Sequence, residues 1–332
     1  MGRQAFIFTG LFVAVLLCML ASLHLGLRLY SPVEVWSALT TEAVDSTALV
    51  IKTLRLPRML MAPVVGAALG IAGLLLQTTT RNPLASPALL GVNAGAAFAV
   101  VIAVSLFGVS AIWPLAMIAA CGALCTTALV FALSAAAGGA ASPLNTLLAG
   151  VTLAALLNSG VQIVLITDES TMEQLIFWLS GGFADRDLSL LTVAAPVIAL
   201  SAGLAVAISR PLDLLLADDA SAAALGVPVM QLRLVALGLA AMLAGAAVTT
   251  AGPVAFIGLV APHMARRLGG LSHRVLVPMV GLVGAMLALV ADIAARFVIY
   301  PSEAPVGAVL AFVGVPVLVF LLLSRKREGL AA

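Results

Sequence analysis

Residues 252–267 read GPVAFIGLVAPHMARR. The stretch is apolar enough to enter a bilayer, yet Pro253 and Pro262 interrupt it and His263, Arg266 and Arg267 close it. Proline lacks the backbone donor and its ring crowds the preceding turn, so one continuous helix does not run through both prolines. The expectation is a short helix of about ten to fifteen residues that cannot span on its own. Broken helices at membrane depth are tolerated only where protein or a water-filled cavity satisfies the freed backbone groups. The segment therefore requires other helices packed around it.

Working outward, composition supplies them. The chain has 332 residues, 63% hydrophobic and 9% charged, whereas a soluble globular domain carries about 25% charged residues. Abundant Gly and Ala suit close helix approach, since lipid offers no hydrophobic drive for helices to associate. A net charge of +2 points away from nucleic acid. Cys18, Cys121 and Cys125 all fall in apolar runs, and Cys121 and Cys125, four apart on one helix face, suit packing better than a disulfide or zinc site. The N-terminal run Ala5–Leu23 exceeds the length of a signal-peptide core, so it reads as a first span.

About ten hydrophobic segments follow, at 6–28, 58–77, 89–107, 113–134, 145–167, 189–208, 231–250, the short 254–268, 275–298 and 306–324. The fold class is all-α: one polytopic transmembrane bundle over 1–332, with broken and short helices and no nucleotide-binding domain. Lys and Arg in the joints favour both termini on the cytoplasmic side. That topology places Arg81, Arg210, Arg233, Arg266 and Arg267 inside and Arg28, Arg55, Arg58, Arg186 and Arg296 outside.

Four joints carry more than connection. Leu54–Arg58, LRLPR, is expected to form an outer cationic patch able to dock an acidic partner, because Arg pairs bidentately with carboxylates. Gln77–Asn93, QTTTRNPLASPALLGVN, is a polar, proline-broken turn of the kind that lines a pathway. Asp168–Asp187 contains a short amphipathic helix at 170–179, ended by Gly181 and Gly182. Residues 210–228, RPLDLLLADDASAAALGVP, form the longest inner joint, with Pro211 opening one short helix, Asp218 and Asp219 starting a second, and Gly226 ending it. Such helices suit contact with a soluble protein.

The energy source lies elsewhere. No GxxxxGK[ST] phosphate loop is present, and neither Lys52 nor Lys326 follows a glycine. No HExxH, GxSxG or paired intramembrane aspartates appear, so the chain does not read as an enzyme. The clear intramembrane acid is Asp292, with Arg296 one turn on, a structural charge pair. An ion-coupled secondary transporter stays open as the competing class, with Asp292 as its titratable site. The runs 58–83 and 233–253 also echo each other in opposite orientation, as an inverted repeat would.

Across nearly its whole length the chain resembles FecCD-type permease subunits of type II ABC importers, which take up ferric siderophores, haem and cobalamin. The matching segments are LRLPR at 54–58, VGAALGIAGLLLQ at 65–77, NPLASPALLGVNAGA at 82–96, LLAGV at 147–151, FWLSGGF at 177–183, LGV at 225–227, AGPVAFIGLVAPHMAR at 251–266, HRVLVP at 273–278, ADIAAR at 291–296 and PVGAVLAFVGVPVLVFLL at 305–322. The resemblance implies two permease subunits around one pathway, each resting on a separate ABC ATPase that uses the ATP, with a periplasmic binding protein outside. It implies a multi-pass protein of the bacterial inner membrane that binds no cofactor itself. By the same resemblance, Arg55, Arg58 and Arg296 match the arginines that meet the binding protein. Asn82, Pro83 and Leu84 match a cytoplasmic gate. The joint 214–226, with Leu216, Ala217, Asp218, Ala222, Ala223, Leu225 and Gly226, matches the helices that couple to the ATPase. A second gate at Ser142-Pro143-Leu144-Asn145 departs from the pattern of some relatives. A ferric siderophore is the expected cargo, with haem and cobalamin as the alternatives.

Overall fold

A computed structural model of the chain describes residues 2–41, 45–137, 143–216, 219–269, 272–299 and 301–316. In order, its helices are α1 Gly2–His24, α2 Pro32–Thr40, α3 Ser46–Val50, α4 Leu56–Thr80, α5 Val92–Phe107, α6 Ile112–Ala136, α7 Pro143–Thr167, α8 Glu169–Leu179, α9 Leu191–Ala207, α10 Ser209–Leu215, α11 Asp219–Ala224, α12 Val229–Ala251, α13 Ile257–Leu268, α14 His273–Val298 and α15 Val306–Pro316. A π-type turn at Ile51–Arg55 runs α3 into α4, and a 3-10 turn at Pro87–Leu90 precedes α5. Every hydrophobic segment read from the sequence coincides with a helix, although the last is described only as far as Pro316. Among the described residues, seven helices are long and apolar enough to cross a membrane; α5 and α15 are apolar but shorter.

The bundle is built around α4. Its most apolar stretch is 72% buried, as is that of α12, and that of α14 is 67% buried; α7 and α1, at 11% and 17%, lie at the edge. Small residues make this packing possible. A Cβ on Gly66 would lie 2.2 Å from the Gly284 carbonyl oxygen of α14, and one on Gly73 would lie 1.8 Å from the Gly258 carbonyl oxygen of α13. At those two crossings the backbones touch, and no side chain fits between them.

The segment at 252–268 behaves as its prolines require. The helix α12 stops at Ala251, Gly252 and Phe256 take φ of +71° and +68°, and α13 then runs for 12 residues. Side chains and neighbouring backbone satisfy the carbonyls that the break leaves free. The Gly182 N–H donates to Ala251 O at 2.8 Å, and Asn93 Nδ2 donates to Val254 O at 3.3 Å. Pro262 sits inside α13 and has no N–H for the Gly258 carbonyl one turn back. There Gln77 Nε2 reaches Leu259 O at 3.3 Å and lies 3.5 Å from Gly258 O, while Gln77 Oε1 accepts from Arg266 Nη1 at 2.6 Å.

Candidate functional site

At one end of the bundle gather α1's C-terminus, α2, the start of α4, the end of α14 and the 302–305 loop. Arg55 Nη1 donates to Leu23 O at 2.7 Å and Nη2 to Arg28 O, with the guanidinium 4.3 Å from the Tyr30 ring centre. Arg296 Nη1 donates to Ser22 O at 2.7 Å and Leu25 O at 2.8 Å, and its Nη2 to Ser22 Oγ and Asp292 Oδ2. Both arginines thus cap the carbonyls that the end of α1 leaves unpaired, where the helix dipole is negative. Arg58 Nη2 donates to Glu303 Oε2 at 2.5 Å.

The sequence led us to expect Arg55 and Arg58 as an exposed cationic patch; the structure corrects this. Arg55, Arg58 and Arg296 are 6%, 7% and 1% exposed. The orphaned carbonyls of α1 and the carboxylates of Asp292 and Glu303 draw the forks inward. Of the three ion-paired or capping groups, only the Arg58 pair has an open side, its Glu303 side chain being 34% exposed. It stands at the rim of a cavity of about 370 Å³ that Arg186, Trp178 and Glu303 also line. Burial holds the Arg186 guanidinium down to about 10, still charged at neutral pH.

A second cavity, about 580 Å³, opens between α5, α7 and α8 beside the broken segment, lined by Asn93, Asn158, Gln162, Ser180, Met172 and Pro253 among others. Asn93 Oδ1 is buried without a partner. Among the described residues that line it, the cavity offers carboxamides and no charged side chain. Asn82, Pro83 and Leu84 lie outside it, beyond the Pro87–Leu90 turn. Asn82 Oδ1 accepts from the Leu84 N–H at 2.9 Å, a turn that leaves Leu84 39% exposed.

The opposite end carries the α10–α11 joint. Asp219 Oδ1 accepts from Arg81 Nη2 at 2.6 Å and Arg233 Nη2 at 2.9 Å, and Arg81 also donates to Leu215 O at 2.8 Å. Asp213 Oδ1 accepts from the His273 N–H at 2.8 Å and stands 2.6 Å from His273 Nδ1; Oδ2 accepts from Ser272 Oγ at 2.9 Å. Burial alone would push the Asp213 carboxyl up, but the bonds from His273 and Ser272 outweigh it and hold the group below the ordinary carboxylate value. Leu214, Leu216 and Leu225 point outward, and Gly226 turns the chain at φ +82°. Ala223 is exposed but Ala222 is fully buried, so Ala222 supports the joint from within and offers no contact surface, contrary to its placement in the coupling set. Ala217 and Asp218 lie outside the described residues, as does Ser142 of the second gate.

Comparison with known proteins bears on what these ends serve. A model of the FecCD transport family matches residues 14–324. The chain belongs to the FecCD transport family. It is 39% identical over 320 residues to the ferric enterobactin transport system permease protein FepD of Escherichia coli (strain K12), covering 96% of each chain. It is 38% identical over 324 residues to the hemin transport system permease protein HmuU of Yersinia pestis, again covering 96% of each. A solved structure of an inward-facing metal-chelate type ABC transporter superposes with a TM-score of 0.84 at 30% identity, covering 96% of this chain and 99% of that one.

In this FecCD chain the sequence alone marked the joints but missed what fixes them. His273 joins Asp213 and Thr78 across 60 and 195 residues of sequence, Arg81 reaches Asp219 across 138, and Gln77 reaches Leu259 and Arg266 across 182 and 189. One local signal was available: Asp213, like Asp218 and Asp219, is an acid in a largely apolar joint, in a chain with 14 acids.

Proposed function

We propose that the chain is the membrane permease subunit of an ATP-binding-cassette importer, carrying a ferric siderophore inward by alternating access. One observation carries the reading: identity to a ferric enterobactin permease extends across 96% of both chains, so it includes both ends and the broken helix between them. Within it, residues 1–332 act as one transmembrane domain of the bacterial inner membrane, with both termini cytoplasmic. The chain has no cofactor of its own, and the ATP is used by a separate ATPase.

The geometry supports a division of labour. The outward-facing Leu214, Leu216 and Leu225 of the inner joint suit insertion into a cleft of the ATPase, flanked by Ala223 and Gly226 and, by position in sequence, Ala217 and Asp218. A second permease subunit would cover α7, whose Leu148, Leu156, Ile163 and Ile166 all face outward, and would close the carboxamide-lined cavity against its counterpart. Asn82, Pro83 and Leu84 would then form the gate between that cavity and the cytoplasm. Outside, a periplasmic binding protein would meet the Arg58–Glu303 rim, while Arg55 and Arg296 hold the surrounding surface in shape. Driving force comes from differential contacts: ATPase closure inside and docking outside each favour particular states of the pathway. Asp292, buried and bonded to Arg296, is poorly placed for proton-coupled transport.

Purification of the tagged chain from native membranes in mild detergent tests the assembly. A P-loop ATPase at about one copy per permease is the expected companion. Recovery without an ATPase, together with uptake that follows a proton gradient, would replace the importer by a secondary transporter.

A further inference from the structure

His273 is 1% exposed, at the first turn of α14, and both its ring nitrogens are engaged. Nδ1 stands 2.6 Å from Asp213 Oδ1 on α10, and Nε2 stands 2.7 Å from Thr78 Oγ1 on α4. An ionised carboxylate only accepts, so Nδ1 carries the proton; in the neutral ring Nε2 then accepts from the Thr78 hydroxyl. Thr78 is fully buried, and its chain neighbour Gln77 holds the carbonyls one turn before Pro262 and the Arg266 guanidinium. Polar contacts thus lead from the α10–α11 joint through α14 to Thr78 on α4, and from the next residue of that helix, Gln77, to the broken helix α13.

Apolar packing would hold these four helices together at least as well, because burying polar groups costs desolvation that a hydrocarbon contact does not. What the polar chain adds is direction. A fully satisfied buried network allows one relative placement of its members and penalises the others. Asp213 belongs to a helix of 7 residues whose neighbours Leu214 and Leu216 face outward, so a push on those leucines moves the carboxylate. Because Asp213 also caps the N-terminus of α14 through the His273 N–H, that push reaches the ring and the helix start together.

We propose that His273 is a positioning residue: through Asp213 on one side and Thr78 on the other, it conveys movement of the ATPase-facing joint to α4 and the pathway-lining break at α13. This rests on the importer reading above and adds the element that joins its two ends.

The test uses the permease assembled with its ATPase and reconstituted with the cognate binding protein, and reads ligand transported per ATP hydrolysed. Thr78→Val removes the hydroxyl at nearly constant volume. His273→Asn keeps a donor for Asp213 in place of Nδ1 but no longer reaches Thr78. Both variants are expected to hydrolyse ATP at the wild-type basal rate while the transport ratio falls by about threefold to tenfold. Combining them should lower the ratio no further, since both cut one contact, and Thr78→Ser, which restores the hydroxyl, should recover it. If the complexes lose thermal stability but keep the wild-type ratio, His273 is structural only and the proposal fails. An additive double variant or no recovery by Thr78→Ser would also overturn it. A wild-type complex that shows no ATP-dependent uptake would instead sink the importer reading beneath it.

Discussion

Asp213 accepts two hydrogen bonds from His273, one from its backbone N–H and one from its ring, and thereby caps a helix that begins 60 residues further along the chain. The contact fastens the inner joint to the start of α14, while the other end of α14 carries the Asp292–Arg296 pair. One helix therefore touches both the candidate ATPase surface and the candidate docking end.

Removing the charge at Asp213 weakens that fastening. Asp213→Asn is expected to cost about 1–2 kcal/mol, the scale of a lost charge-assisted helix cap. The folded carboxyl lies below its ordinary value of 3.8, so its contribution is complete above that value and fades as pH falls through the folded pKa. Thermal melts of wild type and variant should differ by a constant amount between about pH 5 and 8, a window that lies wholly above the ordinary carboxyl value of 3.8, and the gap should narrow only in more acid solution. A gap that closes near pH 6 would assign the effect to another group.

The buried pair at the outer end has an asymmetric requirement. Arg296→Met leaves Asp292 without its cation and Ser22 O, Ser22 Oγ and Leu25 O without their donor, and should cost about 3–5 kcal/mol. Asp292→Asn keeps an acceptor beside Arg296 and should cost distinctly less. Comparing the two by detergent melting temperature checks this; equal losses would mean that Arg296 caps nothing.

Docking and structure are separable among the outer arginines. Arg58→Glu should lower binding-protein stimulation of ATP hydrolysis per folded complex, and the swap with Glu303→Arg should restore part of it. Arg55→Glu should instead reduce folded yield, because it places a carboxylate against the Leu23 and Arg28 carbonyls. If Arg55→Glu folds normally and loses only stimulation, Arg55 is a docking residue after all.

Glycine at the helix crossings is required by space. Gly73→Ala would put a methyl 1.8 Å from the Gly258 carbonyl oxygen, and Gly66→Ala one 2.2 Å from that of Gly284. Each should cost about 1–3 kcal/mol or more through forced helix separation. Gly238→Ala, with nothing within 4 Å, should not lower the melting temperature, because inside α12 alanine favours the helix, and serves as control.

On the inner surface, Leu225→Asp and Leu216→Asp should leave the permease folded, since both side chains face outward. The ATPase should no longer co-purify with either variant. Retention of the ATPase by both would move the contact surface elsewhere.

The helices and their breaks were legible because their causes are local. Gly252 and Pro253 dictate the break between α12 and α13 by themselves, and the Gly226 turn follows from residue type. Side-chain direction was not legible. Arg55 reads as an outward docking group from its place in the LRLPR joint, and Arg296 takes that role only through the family resemblance. Whether a guanidinium turns out to a partner or in to a helix end depends on where α1 stops in space, and sequence spacing does not give that. Asp213, His273 and Thr78 stayed hidden for the same reason: no two of them share a helix. Gln77 was seen as part of a polar turn, but its partners lie 182 and 189 residues away.

The central claim is that this chain imports a ferric chelate at the expense of ATP hydrolysed by a partner. Proteoliposomes holding the permease and its co-purified ATPase, with the cognate binding protein outside and ATP inside, measure it directly. The account predicts accumulation of a radio-iron siderophore that stops when ATP is replaced by a non-hydrolysable analogue and is unaffected by collapse of the proton gradient. Accumulation of hemin alone would keep the mechanism and change the cargo. Uptake that persists without ATP hydrolysis and disappears with the proton gradient would contradict the account.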